Sequence, residues 1–271
     1  MNGKKGKQIK AIDKELLVLE KQEKKIEQEV LKVKPAVWKQ QLESKIPDKV
    51  YDGLESAFCK AFSALFHQGR VVIEKTYNKE EIQTDYAIRD YAVQLKGRRK
   101  ELRKMQKNAQ RLDVINLTVT TLEGVALGTL GIGMPDIVLF LGTLLKGIYE
   151  TALSYGYDYE SCQEQFLILK MMEVSLCTGE RWKKQNKQVD FMLTENGFVI
   201  TQEELEIQLK TTASVFAMDM LLLKFIQGLP IIGIVGGAAN PLYYKKILKY
   251  VHLKYQKRYL LALKKKCSEE I

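Results

Sequence analysis

The chain has 271 residues, enough to bury a sizeable core in one large domain or two small ones. It carries 43 Lys and Arg against 33 Asp and Glu, a formal charge of +10 that suits an anionic membrane face, nucleic acid or plain solubility. Five prolines, eighteen glycines and 46% apolar residues at mostly helical spacing exclude a disordered chain and point to an all-α protein, and Cys59, Cys162, Cys177 and Cys267 fall in no zinc or disulfide spacing. No apolar h-region follows Met1-Asn2-Gly3-Lys4-Lys5, so the expected address is cytoplasmic.

From Ile12 to Val33, leucines and isoleucines alternate with Glu and Lys as in an exposed amphipathic helix that ends before Pro35. Residues 1–34 therefore read as a charged arm, and 35–271 as a single helical domain. After Pro47-Asp48, the residues Val50, Leu54, Phe58, Ala61 and Leu65 recur at three- and four-residue steps and predict a helix with that face buried. A third helix is expected over Lys79–Lys96, and the one-sided basic stretch Lys96-Gly97-Arg98-Arg99-Lys100 leads on into an apolar run.

Two apolar, glycine-rich runs, Gly124 to Leu145 and Phe225 to Pro241, dominate the rest of the chain. In the first, Pro135 suits the first turn of a new helix and Asp136 its positive end, so the run reads as two helices meeting in a tight hairpin. Its second helix continues to Ser154 and stops at Gly156, and Asp158 then caps a helix over Tyr159–Cys177 that Thr178-Gly179 closes. Asn196-Gly197 suits a β-hairpin, but Thr201-Gln202-Glu203-Glu204 forms a capping box with Ile200 and Leu205 as a staple, which favours a helix-to-helix turn and a helix from Gln202 to about Gln227. In the second run Pro230 precedes the glycines, Asn240 is the expected cap and Pro241 the first residue of a last helix running to about Lys266. Small residues at Gly124, Gly128 and Gly131, and at Gly233, Gly236 and Gly237, let backbones approach closely within either a soluble helix pair or a lipid phase.

Three blocks carry a resemblance to a known family. They are Lys45-Ile46-Pro47-Asp48-Lys49-Val50, then Glu150-Thr151-Ala152-Leu153-Ser154-Tyr155-Gly156-Tyr157-Asp158, and Leu229-Pro230-Ile231-Ile232-Gly233 through Gly237 to Asn240. In order and spacing the chain resembles the EcsC family. Relatives often place Glu-Arg ahead of the apolar helix after the second block, where this chain has Glu164-Gln165-Phe166 and so lacks the arginine for any ion pair made there. The family is named for a bacterial protein encoded beside an ABC transporter, and the resemblance implies an α-helical, cytoplasmic, membrane-linked protein of bacterial type with a link to such a transporter and no family chemistry to carry over.

A bilayer span needs about 20 apolar residues, which the first run supplies. A carboxylate at Asp136 costs about 2.5–3.5 kcal/mol near the centre of a span, and Pro135 breaks the helix there. The open readings are a buried core hairpin, an interfacial hairpin and a full span. On the last helix, Tyr243, Tyr244, Lys245, Lys246, Lys249, Lys257 and Arg258 interleave rings with cations, as suits contact with an anionic membrane surface or a membrane-protein partner. The alternative is that Ile247, Val251, Tyr255 and Leu260 pack on the core while the lysines are solvated. No reader motif accompanies the charge, which argues against nucleic acid. No Gly-Lys-Ser/Thr loop, HExxH or Gly-x-Ser-x-Gly elbow occurs, so no cofactor, metal or catalytic residue is assigned. The competing reading is a hydrolase-type enzyme whose site lies between the hairpins, in which the fold would bring together two of the carboxylates Glu123, Asp136, Glu150, Glu173 and Asp219, with Asp136 and Asp219 as the positions to mutate.

Overall fold

The computed structural model describes residues 2–32, 46–118, 135–194, 199–227 and 239–270. They form one all-α domain, with no strand among the described residues. In chain order the helices are α1 (Asn2–Lys32), α2 (Asp48–Ala64), α3 (Arg70–Glu74), α4 (Lys79–Lys96) and α5 (Arg99–Thr118), then α6 (Pro135–Ser154), α7 (Cys162–Leu176), α8 (Gly179–Thr194), α9 (Gln202–Gln227) and α10 (Ala239–Glu269). A π-helical turn, Leu65–Gly69, joins α2 to α3.

Local chemistry sets most of the boundaries. The Asn78 side chain accepts the Glu81 N–H at 3.1 Å to start α4, and Gly97, left-handed at φ +59°, ends it by donating its N–H to Val93 O at 2.8 Å. At α9 the capping box closes both ways. Thr201 Oγ1 accepts from the Glu204 N–H at 3.2 Å, and the Glu204 carboxylate accepts from the Thr201 N–H at 2.9 Å. Leu205 is buried and Ile200 packs on the core beside it. The connection between α8 and α9 joins two helices, as expected, although Asn196-Gly197 itself lies outside the described residues.

Three boundaries differ from expectation. α7 starts at Cys162, because Ser161 accepts the Glu164 N–H at 3.2 Å while Asp158 instead folds back on the Glu160 N–H at 3.1 Å. α10 starts at Ala239, so Asn240 is helical rather than a cap, and Pro241 sits in the first turn, where no intrahelical N–H is needed. The basic run after Gly97 is the helix α5, whose Leu102, Met105 and Ala109 are buried at helical spacing.

Three helices, α6, α7 and α10, make the centre, with α9 bridging α2 and α7, and α1 laid along α5, α8 and α10. Phe58 and Phe62 of α2 meet Phe216 of α9 at ring separations of 5.7 and 5.6 Å, and Phe216 meets Phe140 of α6 at 6.4 Å. The window Ile137–Ser154 of α6 is long and apolar enough to cross a membrane, yet 89% of it is buried within the protein. The structure thus gives that half of the first apolar run a place in the core. The turns of both expected hairpins, with Gly124, Gly128, Gly131, Pro230, Gly233 and Gly237, lie outside the described residues.

The N-terminal arm is corrected in a similar way. α1 begins at Asn2 and its stripe of Ile12, Glu15, Leu19 and Val30 is buried against neighbouring helices instead of standing exposed.

Gly156 ends α6 at φ +81°, and any Cβ there would fall inside the ring of Tyr86. Gly156→Ala is expected to destabilise the fold by at least the roughly 1–2 kcal/mol of left-handed backbone cost, read as a lowered urea midpoint. A loss below about 0.5 kcal/mol, the range of an ordinary surface change, would contradict this packing.

Candidate functional site

The last helix organises the charged groups of the interior. Lys254 lies fully buried on α10, bonded to Glu23 of α1 and, at 2.6 Å, to Asp190 of α8. Lys257 bonds the same two acids at 3.0 and 2.9 Å, and Asn186 adds an amide to Glu23 at 2.8 Å. Burial alone would raise the Glu23 carboxyl, but Lys254 and Lys257 outweigh it and hold the group down at about 2. Burial also pulls the Lys254 ammonium below the usual lysine value, against the attraction of Glu23 and Asp190.

Further pairs tie α1 along its length. Arg99 and Arg103 of α5 both reach the buried Glu15, Lys264 meets Asp13 at 2.7 Å, and Lys5 meets Glu270. These contacts run antiparallel along α10, from Glu23 beside Lys254 to Lys5 beside Glu270.

The second family-like block explains itself in the same terms. Tyr157 lies under the Arg258 guanidinium, 4.0 Å from it, and 5.7 Å from the Tyr255 ring. Arg258 Nη1 donates to both oxygens of Glu164, at 3.0 and 2.7 Å, and the Tyr255 hydroxyl donates to the same carboxylate at 2.6 Å. Glu164, which Gln165 follows in the chain, is thus paired with an arginine from α10.

The α6 and α10 helices run parallel. Along the pair, Phe140 faces Tyr243 at 6.4 Å, Thr151 Oγ1 lies 3.4 Å from His252 Nε2, and Tyr155 faces Tyr259 at 6.2 Å. At Gly147 the helices approach so closely that a Cβ would lie 2.6 Å from the Tyr244 hydroxyl and 2.9 Å from Leu248. Asp219 of α9 accepts the Tyr243 hydroxyl at 2.8 Å. Gln110 of α5 shares a cavity wall with Tyr244 and Leu248. These pairings gather the N-termini of α6 and α10 and the C-termini of α5 and α9 at one end of the bundle.

That end holds a cleft of about 470 Å³ between α1, α5 and α10. Lys25, Lys245 and Lys249 stand around it with Gln22 and Gln110, and among the described residues no carboxylate lines it. Its floor includes the buried Tyr244, His252 and Gln256, with Leu248 and Leu253 as apolar wall.

Of the seven residues expected at a membrane or partner surface, the structure leaves Lys245, Lys246 and Lys249 exposed. Tyr243 and Tyr244 are buried, and Lys257 and Arg258 are committed to the ion pairs above. Ile247, Val251, Tyr255 and Leu260 are core residues, as the packing alternative for this stretch of α10 expects.

The expected hydrolase carboxylates are not brought into a shared site by the described residues. Asp219 serves Tyr243, and the Asp136 side chain lies outside the described part. Glu173 is bonded by Gln208 at 2.9 Å, Lys170 at 2.9 Å and Arg181 at 3.1 Å, which together hold its carboxyl low against the opposing effect of burial. Among the described residues no group of three or more His, Cys, Asp or Glu side chains is placed to hold a metal ion.

Comparison with curated proteins and with solved structures returns no match. A family model does match, from residue 10 inside α1 to residue 260 inside α10, thereby taking in both helices of the Glu23–Lys254 contact, and on that match the chain belongs to the EcsC protein family.

Proposed function

We propose that the protein is an accessory or binding protein that associates peripherally with the cytoplasmic face of an anionic membrane, seating the N-terminal end of α10 on the lipid. The observation that carries this reading is the exposed group Lys245, Lys246 and Lys249, with Pro241 and the 64%-exposed Leu242 beside it. From Ala239 to Tyr250 the helix contains no acid. Each lysine held near an anionic leaflet contributes about 1 kcal/mol, and an exposed leucine adds a small apolar contact. In sequence the segments 119–134 and 228–238, which follow α5 and α9, are apolar and glycine-rich. The family resemblance extends the reading to a membrane-protein partner such as an ABC transporter.

The test is co-sedimentation of the full chain with vesicles. Binding is expected to phosphatidylglycerol and not to phosphatidylcholine, with release at 1 M salt, where the screening length falls to about 3 Å. A chain that stays in the supernatant with phosphatidylglycerol, or that binds both lipids equally, would overturn the proposal.

A further inference from the structure

We propose that the cleft between α1, α5 and α10 is a binding site for a phosphate-bearing anion, taking either a lipid headgroup or a soluble phosphomonoester. It rests on the membrane reading only for the lipid as a source.

Three lysines from two elements line one cavity, Lys25 from α1 and Lys245 and Lys249 from α10, with no carboxylate among the described residues of its lining. Elsewhere on α10 the pattern is the reverse. Lys254 and Lys257 share Glu23 and Asp190, Arg258 has Glu164, and Lys264 has Asp13. Cations around a concave site without an internal counter-charge focus a positive potential into it.

The floor supplies directional groups on a fixed scaffold. Thr151 donates its hydroxyl to Gly147 O at 2.7 Å, so the lone pair it turns to His252, 3.4 Å away, accepts from Nε2–H and orients the ring. Tyr244 is wedged against the backbone of Gly147 and cannot withdraw toward α6. Gln22 and Gln110 at the walls and Gln256 at the floor offer amides to ligand hydroxyls, and Leu248 and Leu253 give an apolar side. A volume of about 470 Å³ exceeds an inorganic phosphate and leaves room for a phosphate ester and its organic part.

The experiment is lysine acylation footprinting of the full chain by mass spectrometry. The probes are inorganic phosphate, glycerol 3-phosphate and phosphatidylglycerol vesicles, with chloride at equal ionic strength and phosphatidylcholine vesicles as controls. Lys246, exposed and outside the cleft lining, and Lys104 on α5 are the internal references. Protection of Lys25 and Lys249 at least threefold by either soluble probe, with Lys246 and Lys104 unchanged, supports the site with a soluble ligand. Protection of Lys25 by phosphatidylglycerol vesicles alone, lost on Gln substitution at the opposite wall (Lys249→Gln), supports the site with a lipid headgroup. The proposal is overturned if no probe protects Lys25, or if Lys25→Gln with Lys249→Gln leaves calorimetric affinity for the binding probe within twofold of native. Protection of Lys246 by vesicles with Lys25 unprotected removes the cleft and leaves the membrane reading standing.

Discussion

Lys254→Met is expected to lower the unfolding free energy by about 3 kcal/mol or more, in the range found when one partner of a buried ion pair is removed. Lys254 is 0% exposed and bonded to Glu23 and Asp190, so its loss leaves two buried or half-buried acids sharing Lys257 alone. Glu23→Leu with Lys254→Met should be less destabilised than the sum of the single changes, because both desolvated charges leave together while Lys257 and Asp190 keep each other. Urea unfolding measures all three, and a Lys254→Met chain within 0.5 kcal/mol of native would contradict the buried clamp. Acid should act on the same contact. The folded Glu23 carboxyl is held at about 2, against 4.5 for the ordinary group. Its stabilisation is therefore fully present above about pH 4.5 and lost as pH falls through the folded value. Glu23→Gln should flatten the stability profile across that window, and an unchanged acid limb would contradict the assignment.

The sequence made some elements legible to the residue. The Thr201–Glu204 box marked the start of Gln202–Gln227, and Lys79–Lys96 keeps its expected span with Gly97 as its cap, chemistry that acts within a few residues and survives in any tertiary context. Boundaries slipped where two residues competed for one cap. Asp158 and Ser161 are both capping types, and Ser161 prevailed because Asp158 was taken by the turn after Gly156. The charged interior was harder to read. Glu15 and Glu23 occupy stripe positions among Ile12, Leu19, Ile26 and Val30, and Lys254 falls three residues after Val251 on the buried side of α10. Those were the signals, but charge at a stripe position marks burial only when its partner is known, and the partners lie on α1, α8 and α10. The same long-range pairing turned an arm read as exposed into a helix of the core. It also took Tyr243 and Tyr244 into the interior and tied the half-buried Lys257 and Arg258 into ion pairs.

Reversing the three exposed lysines is expected to abolish membrane association while leaving the fold intact. Lys245, Lys246 and Lys249 have no acid on their own stretch of α10, and none of them belongs to the Glu23, Glu164 or Asp13 pairs that hold the helix in place. Removing three lysines at about 1 kcal/mol each is worth roughly a hundredfold in partitioning, and placing three carboxylates there adds repulsion. The decisive measurement is thus the vesicle partition coefficient of Lys245→Glu, Lys246→Glu, Lys249→Glu beside the native chain on phosphatidylglycerol, with helicity and urea midpoint checked in parallel. A drop of a hundredfold or more in a normally folded variant is the predicted result. Equal partitioning of the variant and the native chain would contradict the placement of this end of α10 on the membrane.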